Sequence, residues 1–431
     1  MLMSDALRLV VGLVTAILTT RLLGPSGKGT LSSMLFIIVL LSYACSLGLG
    51  DAAIVLIGQK RVTVSEALSA TILPMSLGLA AGLGLFWVVS LNADWSGIRP
   101  AVGAASVLLL VSTTSYVLMA MFNSQERLGL TALVAGVTGT VAALAVVLFV
   151  AVLELEILGG VLAELVGTCA GLAMLLWTIR KEPGALWPRF DRAYLRAAFR
   201  LGPVIEGSTL LVALAQRLDL LIVYSIRGEA SAGRYAIATT LSQLASYGPV
   251  ALTSAAFPRL AGLKDREAAT LLAQLSRLTI AAASLGAVIL LATVPFAIPL
   301  LFGIPFRAAI VPTLVLTLGG IAWSEQWLLC RAAAARGAPL VYFRSFGVSL
   351  LCMVALDLIF IPRWGLIGAA LASVSSGIFG LAECARYYRA QVEVVSLRSY
   401  LPGPADFVSL FSLTRDVLVG MTRTRTDADQ D

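Results

Sequence analysis

Apolar positions along this chain do not alternate with polar ones, nor do they form a narrow helical stripe. They run in long blocks bounded by short clusters of charged residues, glycine and proline. A helix needs roughly 20 mostly apolar residues to cross about 30 Å of hydrocarbon. Twelve blocks meet that need: 5–23, 31–58, 65–91, 100–122, 129–153, 157–179, 201–226, 232–257, 278–302, 308–330, 340–361 and 365–388. The pattern predicts an all-α polytopic membrane protein of about twelve transmembrane helices. The first block, Ala6 to Leu23, lacks a small-residue cleavage pattern and is read as a retained span.

Composition agrees with that picture. Apolar residues make up 59% of the chain, charged residues 13%, and the mean hydropathy is +0.93. A water-soluble surface cannot be built from this mixture without large exposed apolar patches. The charges that remain are uneven. The even-numbered loops (Lys60 and Arg61, Arg127, 180–200, 259–277 and 331–344) carry 16 basic residues, against 7 in the alternate set. The richer side is expected to be cytoplasmic, with both termini inside a bacterial inner membrane. The basic pI is then a topology signal, and no nucleic-acid partner is needed to explain it.

The blocks also repeat. Gly24-Pro-Ser-Gly-Lys-Gly29 after span 1 matches Gly228-Glu-Ala-Ser-Ala-Gly233 after span 7, two glycines five residues apart at each outer turn. Ile157-Leu-Gly-Gly-Val-Leu-Ala163 likewise matches Leu366-Ile-Gly-Ala-Ala-Leu-Ala372, and the same offset carries Arg127 onto Arg336. Six spans per half is an even number, so both halves cross in the same sense. The expectation is two six-helix lobes related by a pseudo-twofold axis along the membrane normal. They occupy 1–180 and 201–390, with a basic cytoplasmic linker at 181–200 and a cytoplasmic tail at 391–431. In the joint, Arg192, Arg196 and Arg200 recur every four residues, with Leu195 and Phe199 on another face. That spacing suits either an amphipathic helix on the anionic inner leaflet or an ordinary basic loop. In the tail, apolar residues from Phe407 to Met421 at helical spacing suggest a short in-plane helix.

Several motifs resemble a known family. They are Arg21-Leu-Leu-Gly-Pro-Ser-Gly-Lys-Gly29, Leu47-Gly-Leu-Gly50, Gln216-Arg-Leu-Asp-Leu-Leu-Ile-Val223, Gly233-Arg-Tyr-Ala-Ile-Ala238, Ala256-Phe-Pro-Arg-Leu260 and Ile359-Phe-Ile-Pro-Arg-Trp-Gly-Leu-Ile-Gly-Ala-Ala-Leu-Ala372. In this order they resemble the polysaccharide-type (O-antigen, lipid-linked oligosaccharide) flippases of the multidrug/oligosaccharidyl-lipid/polysaccharide exporter superfamily. The resemblance spans about residues 5 to 390. It implies a transporter that moves undecaprenyl-pyrophosphate-linked saccharides for O-antigen or exopolysaccharide synthesis, by lobes rocking around a central cavity. Its partners would be that substrate, the membrane lipids and other polysaccharide assembly proteins.

Ionisable residues inside spans cost on the order of 2.5–3.5 kcal/mol each by insertion scales, so each is a candidate for function. Arg217, Glu206, Asp219 and Asp51 are the cavity candidates; Asp51, Glu164, Glu325 and Asp357 are the ion-coupling candidates. Glu206 and Arg217 are eleven residues apart, which returns a helix to nearly the same face, while Asp219 points elsewhere. A guanidinium fork suits pyrophosphate oxygens; the alternative for Arg217 is an interhelical carboxylate pair. The chain contains no histidine, so any proton relay must use Asp or Glu. Gly202-Pro203 and Gly248-Pro249 are candidate kinks.

Catalytic constellations, metal-binding motifs and cofactor motifs are missing. Without histidine there is no Ser-His-Asp or Cys-His arrangement. Cys45, Cys169, Cys330, Cys352 and Cys384 are far apart in sequence and are read as reduced packing residues. Gly24 to Thr30 superficially suggests a P-loop, but Leu22 stands where the first glycine belongs and Gly29 where Ser or Thr belongs. The predicted outward loops are too short to carry a polymerase or ligase domain, so an enzyme is not expected. Two rivals stand beside the flippase reading: an ion-coupled drug or organic-cation antiporter of the same superfamily, and a non-transporting membrane scaffold.

Overall fold

The computed structural model describes residues 2–92, 95–124, 128–180, 191–250, 253, 265–391, 402–403 and 406. These residues are helical almost throughout and contain no strand. The helices are α1 (Leu2–Ser46), α2 (Leu49–Gly58), α3 (Val64–Asn92), α4 (Arg99–Ser124), α5 (Leu128–Val146), α6 (Glu156–Ile179), α7 (Arg192–Arg227), α8 (Glu229–Ser242), α9 (Asp265–Ala297), α10 (Ile310–Ala335) and α11 (Pro339–Gln391). Among the described residues, nine helical stretches are long and apolar enough to cross a membrane.

Two of those helices are too long to be single spans. At 1.5 Å per residue, α1 with its 45 residues would reach about 68 Å and α11 with its 53 about 80 Å, more than twice the hydrocarbon thickness. Each is broken at a glycine with non-helical backbone: Gly24 (φ 65°, ψ −174°) and Gly365 (φ 58°, ψ −131°). Only glycine enters these regions without a Cβ clash. The two arms of α11 fold back on each other, with Ser345 Oγ donating to Gly380 O (2.9 Å) and Ser349 Oγ to Ser376 O (3.1 Å). Dividing α1 and α11 at these glycines, and counting α1's second arm with α2 as one, gives eleven of the twelve predicted spans; the eighth, 232–257, is described only as far as residue 250 and at 253.

Two expectations change. Span 2 is not continuous: Leu47 (φ 53°) and Gly48 (φ 71°) both leave the helical region, separating α1 from α2. The joint helix is not a separate in-plane element either. It is the start of α7, capped by Asp191 Oδ1, which accepts from Ala193 N (2.9 Å) and Tyr194 N (3.0 Å). Tyr194, Leu195 and Ala198 are buried in a cluster with Val64, Ala67, Leu68, Leu175 and Ile179. Leu195 is therefore covered by protein, while Phe199, Arg192, Arg196 and Arg200 remain exposed. Residues 181–190 of the linker, Arg127, the Ala256–Leu260 motif and the tail helix expected at Phe407–Met421 lie outside the described residues.

The chain groups into two compact units, residues 1–237 with 299–307 and residues 238–298 with 308–431. In the first, Leu31, Met34, Ile38 and Leu41 of α1 meet Phe86 of α3 and Ala105, Leu108 and Leu109 of α4. The 299–307 turn is held there by arginines. Arg21 donates through Nε to Leu301 O (2.7 Å) and also bonds Leu300 O, and Arg234 Nε donates to Pro305 O (3.0 Å). In the second unit, Gln326 Nε2 donates to Ser345 Oγ (2.8 Å) and Ser349 Oγ (3.0 Å). Cys330 and Cys384, distant in sequence, meet at 3.0 Å between sulfurs.

Candidate functional site

Charged groups inside the first unit gather in two places. The first joins α1, α6 and α7. Lys28 lies four residues beyond the Gly24 break, so the turn that starts α1's second arm carries its ammonium inward, where Nζ donates to Thr19 Oγ1 (3.0 Å). Its electrostatic neighbours are Arg217 of α7 and Glu164 of α6. All three are half-buried rather than sealed. Lys28 and Arg217 are thus two cations set among membrane helices, with Glu164 beside Lys28 and Asp219 within reach of Arg217. A guanidinium fork beside a mobile ammonium supplies the donors that phosphate oxygens take. Sequence reasoning found Arg217 and Glu164 but assigned Lys28 to an outer loop. The glycine-rich turn that brings Lys28 back into the bundle was the available signal.

The second place joins α1, α2, α4 and α7. Glu206 is buried at 5% exposure, and its Oε2 accepts from Ser46 Oγ (2.8 Å). Asp51, in the first turn of α2, is its electrostatic neighbour. Tyr116 OH points at Asp51 Oδ2 from 3.5 Å, and its ring meets Tyr43 edge-on with centroids 5.1 Å apart. Among the described residues no lysine or arginine pairs with either carboxyl.

Glu206 and Arg217 thus sit on one helix but in different surroundings, one among hydroxyls and a second acid, the other beside Lys28. Asp219 is buried and occupied: it accepts from Tyr235 OH (2.6 Å) and from Leu220 N (2.8 Å), tying α7 to α8 across the Gly228 turn. It also lies within electrostatic reach of Arg217. In the second unit Glu325 is buried on α10 and accepts from Ser276 Oγ of α9, and Asp357 is fully buried on α11. Among the described residues no group of three or more Cys, Asp or Glu side chains is placed to hold a metal ion.

Solved structures carry the same fold. A lipid II flippase, MurJ, in an inward-closed conformation aligns with a TM-score of 0.70 at 16% identity, covering 97% of this chain and 92% of its own. An inward-facing multidrug resistance MATE family transporter of the MOP superfamily aligns at 0.67 and 16% identity, covering 89% and 95%. The Vibrio cholerae MATE transporter VcmN aligns at 0.58 and 14%, covering 91% and 99%. Comparison with curated proteins finds no match. The model of one family, described as polysaccharide biosynthesis protein, matches residues 1–264. With most of its length matched in this way, the chain belongs to the polysaccharide biosynthesis protein family.

Proposed function

We propose that this protein flips undecaprenyl-pyrophosphate-linked oligosaccharide repeat units across the bacterial cytoplasmic membrane by alternating access, serving O-antigen or exopolysaccharide assembly. The family and the transporter fold support the class. The observation that carries the substrate is that Lys28 and Arg217 are electrostatic neighbours inside membrane-spanning helices. A lipid-linked saccharide presents a charged, hydrated head that hydrocarbon rejects and a tail that hydrocarbon accepts. Arg217 and Lys28 hold the pyrophosphate, and Glu164 and Asp219 temper their charge so that the anion is released after crossing. The prenyl tail stays in lipid throughout. The Lys/Arg bias of the loops supports cytoplasmic termini.

The test is a deletion strain in which surface glycan and lipid-linked intermediates are profiled together. Loss of surface glycan, with undecaprenyl-linked repeat units trapped on the cytoplasmic leaflet, is the expected result; unchanged glycans overturn the reading. The Asp51–Glu206 pair favours a second reading, an ion-coupled antiporter of organic cations, because a carboxyl pair without a basic partner also suits a cationic guest. Increased drug susceptibility with normal glycans would select it.

A further inference from the structure

We propose that the early part of α9 is the docking site of the chain's own C-terminal tail, and that the tail held there steadies the turn of α9 that supports Glu325. The proposal involves no cargo and stands apart from the saccharide reading. Arg277 of α9 donates through Nε to Asp406 Oδ1 (3.3 Å), an ion pair between residues 129 positions apart. The carboxylate is held from the tail side as well. Gly403 N donates to Asp406 Oδ2 (2.8 Å), and Asp406 N donates back to Gly403 O (3.0 Å). Asp406 therefore closes a small loop of the tail with one oxygen and grips α9 with the other. Both side chains are largely withdrawn from solvent, at 28% and 20% exposure, which strengthens a pairing that full exposure would screen.

The position of Arg277 explains the value of this partner. The apolar block read from the sequence begins at residue 278, so the guanidinium stands at the edge of hydrocarbon, where a cation is costly unless paired. The turn around it is sealed on its other side: Leu272, Ala273, Leu275, Ser276 and Thr279 are buried. Ser276, one residue before Arg277, donates through Oγ to Glu325 of α10. One turn of α9 thus faces two ways, inward to a buried carboxyl and outward to the tail. Eleven positions separate Pro402 from Gln391, where α11 ends, a reach of at most about 40 Å. Such a short tether keeps the tail at an effective concentration on the order of millimolar, so a modest ion pair suffices to hold it. Pro402 and Pro404 restrict the free segment, so less conformational entropy is lost on docking. Asp406 directly precedes the apolar residues from Phe407 to Met421, so the clasp fixes the point at which that run begins.

The test uses the whole protein in lipid nanodiscs, read by hydrogen exchange and mass spectrometry, and needs no substrate. In Arg277→Gln and in Asp406→Asn, exchange at the amides of Gly403 and Asp406 should rise about tenfold, the factor that one lost hydrogen bond to a charged group represents. Exchange in 272–280 of α9 should rise with it. α4, with its sealed Leu108 and Leu109, should stay protected and so show that each variant has folded. Asp406→Asn alters no core residue and carries the test if Arg277→Gln fails to insert. The double variant should exchange no faster than the faster single one, because both changes remove a single pairing. Wild-type exchange at Gly403 and Asp406 in the single variants overturns the docking. Additive effects in the double variant overturn the pairing of Arg277 with Asp406. A faster tail over an unchanged α9 overturns the steadying of the turn beside Glu325.

Discussion

Gly29 of α1 and Gly233 of α8 press main chain against main chain. The space for a Cβ on Gly29 is filled by Glu229 O and Gly233 N, and the same space on Gly233 by Pro25 O and Gly29 N. Both correspondences, 25 to 229 and 29 to 233, share one offset of 204 residues, so each half of the contact repeats the other, as in an isologous interface. The glycines that open the two turns match as well: Gly24 has φ 65° and ψ −174°, Gly228 has φ 79° and ψ 173°. Thr30 Oγ1 donates to Glu229 Oε2 (3.0 Å) beside this contact.

Alanine at Gly29 or Gly233 should therefore be costly, because the clash is with backbone atoms that cannot rotate away. Overpacking of this kind costs about 1–3 kcal/mol, and each variant should lower the thermal unfolding midpoint in detergent. Gly12→Ala is the control. A Cβ there meets nothing within 4 Å, and the helix should gain up to roughly 1 kcal/mol from the better helix former. Equal midpoints for Gly29→Ala and Gly12→Ala would contradict the packing argument.

The twelve spans and the repeated turns were legible because hydrophobic block length and paired glycines are properties of the chain itself. The break inside span 2 was not, since Leu47-Gly-Leu-Gly50 suits a straight helix as well as one interrupted at Leu47 and Gly48. Site residues were legible one at a time, as charges where charges are expensive. Their grouping was not: Lys28 joins Arg217 only because the chain turns at Gly24, and Asp51 joins Glu206 only because Gly48 and Gly202 allow α2 and α7 to touch. Cys330 and Cys384 were read as separate packing residues because 54 positions divide them, and only the return of α11 after Gly365 brings them together.

Arg217→Ala should abolish glycan export while membrane insertion and expression persist, and Lys28→Ala should weaken it. Hydrogen bonds to charged groups contribute about 1.5–3 kcal/mol each, so each lost donor should weaken head-group binding by about 10- to 100-fold. Arg217→Lys keeps the charge but loses the planar fork and should recover only part of the activity. Complementation of a deletion strain, with immunoblots for protein level, reads all three. Full export by Arg217→Ala would exclude a role in holding the pyrophosphate.

The Cys330–Cys384 contact should be a selective cross-linking site. A disulfide needs the sulfurs to close from 3.0 Å to about 2.05 Å, a small movement, and copper-phenanthroline supplies the oxidant. Titrating thiols in denaturant should show five before treatment and three after it, with peptide mapping placing the new bond between α10 and α11. Cys330→Ser should leave four thiols both before and after. A fall to three in the wild type through any other pair would show that these sulfurs do not meet in the membrane.

Arg21 and Arg234 hold the 299–307 turn through three of its carbonyls, beside the buried side chains of Phe302 and Phe306. Leu300 and Ile304 are exposed at 71% and 72%, so apolar burial at these positions contributes little to fixing it. Backbone carbonyls at a helix end need donors, and guanidinium groups supply them without bringing a carboxylate into the membrane interface. The double variant Arg21→Ala/Arg234→Ala should therefore raise amide hydrogen exchange in 299–307 by at least the factor of 10 that about 1.4 kcal/mol of lost hydrogen bonding represents. Exchange in α4, whose core residues Leu108 and Leu109 are sealed, should not change. Each single variant should fall between. If exchange rises equally in the turn and in α4, the arginines stabilise the whole unit and do not act as local anchors of this turn.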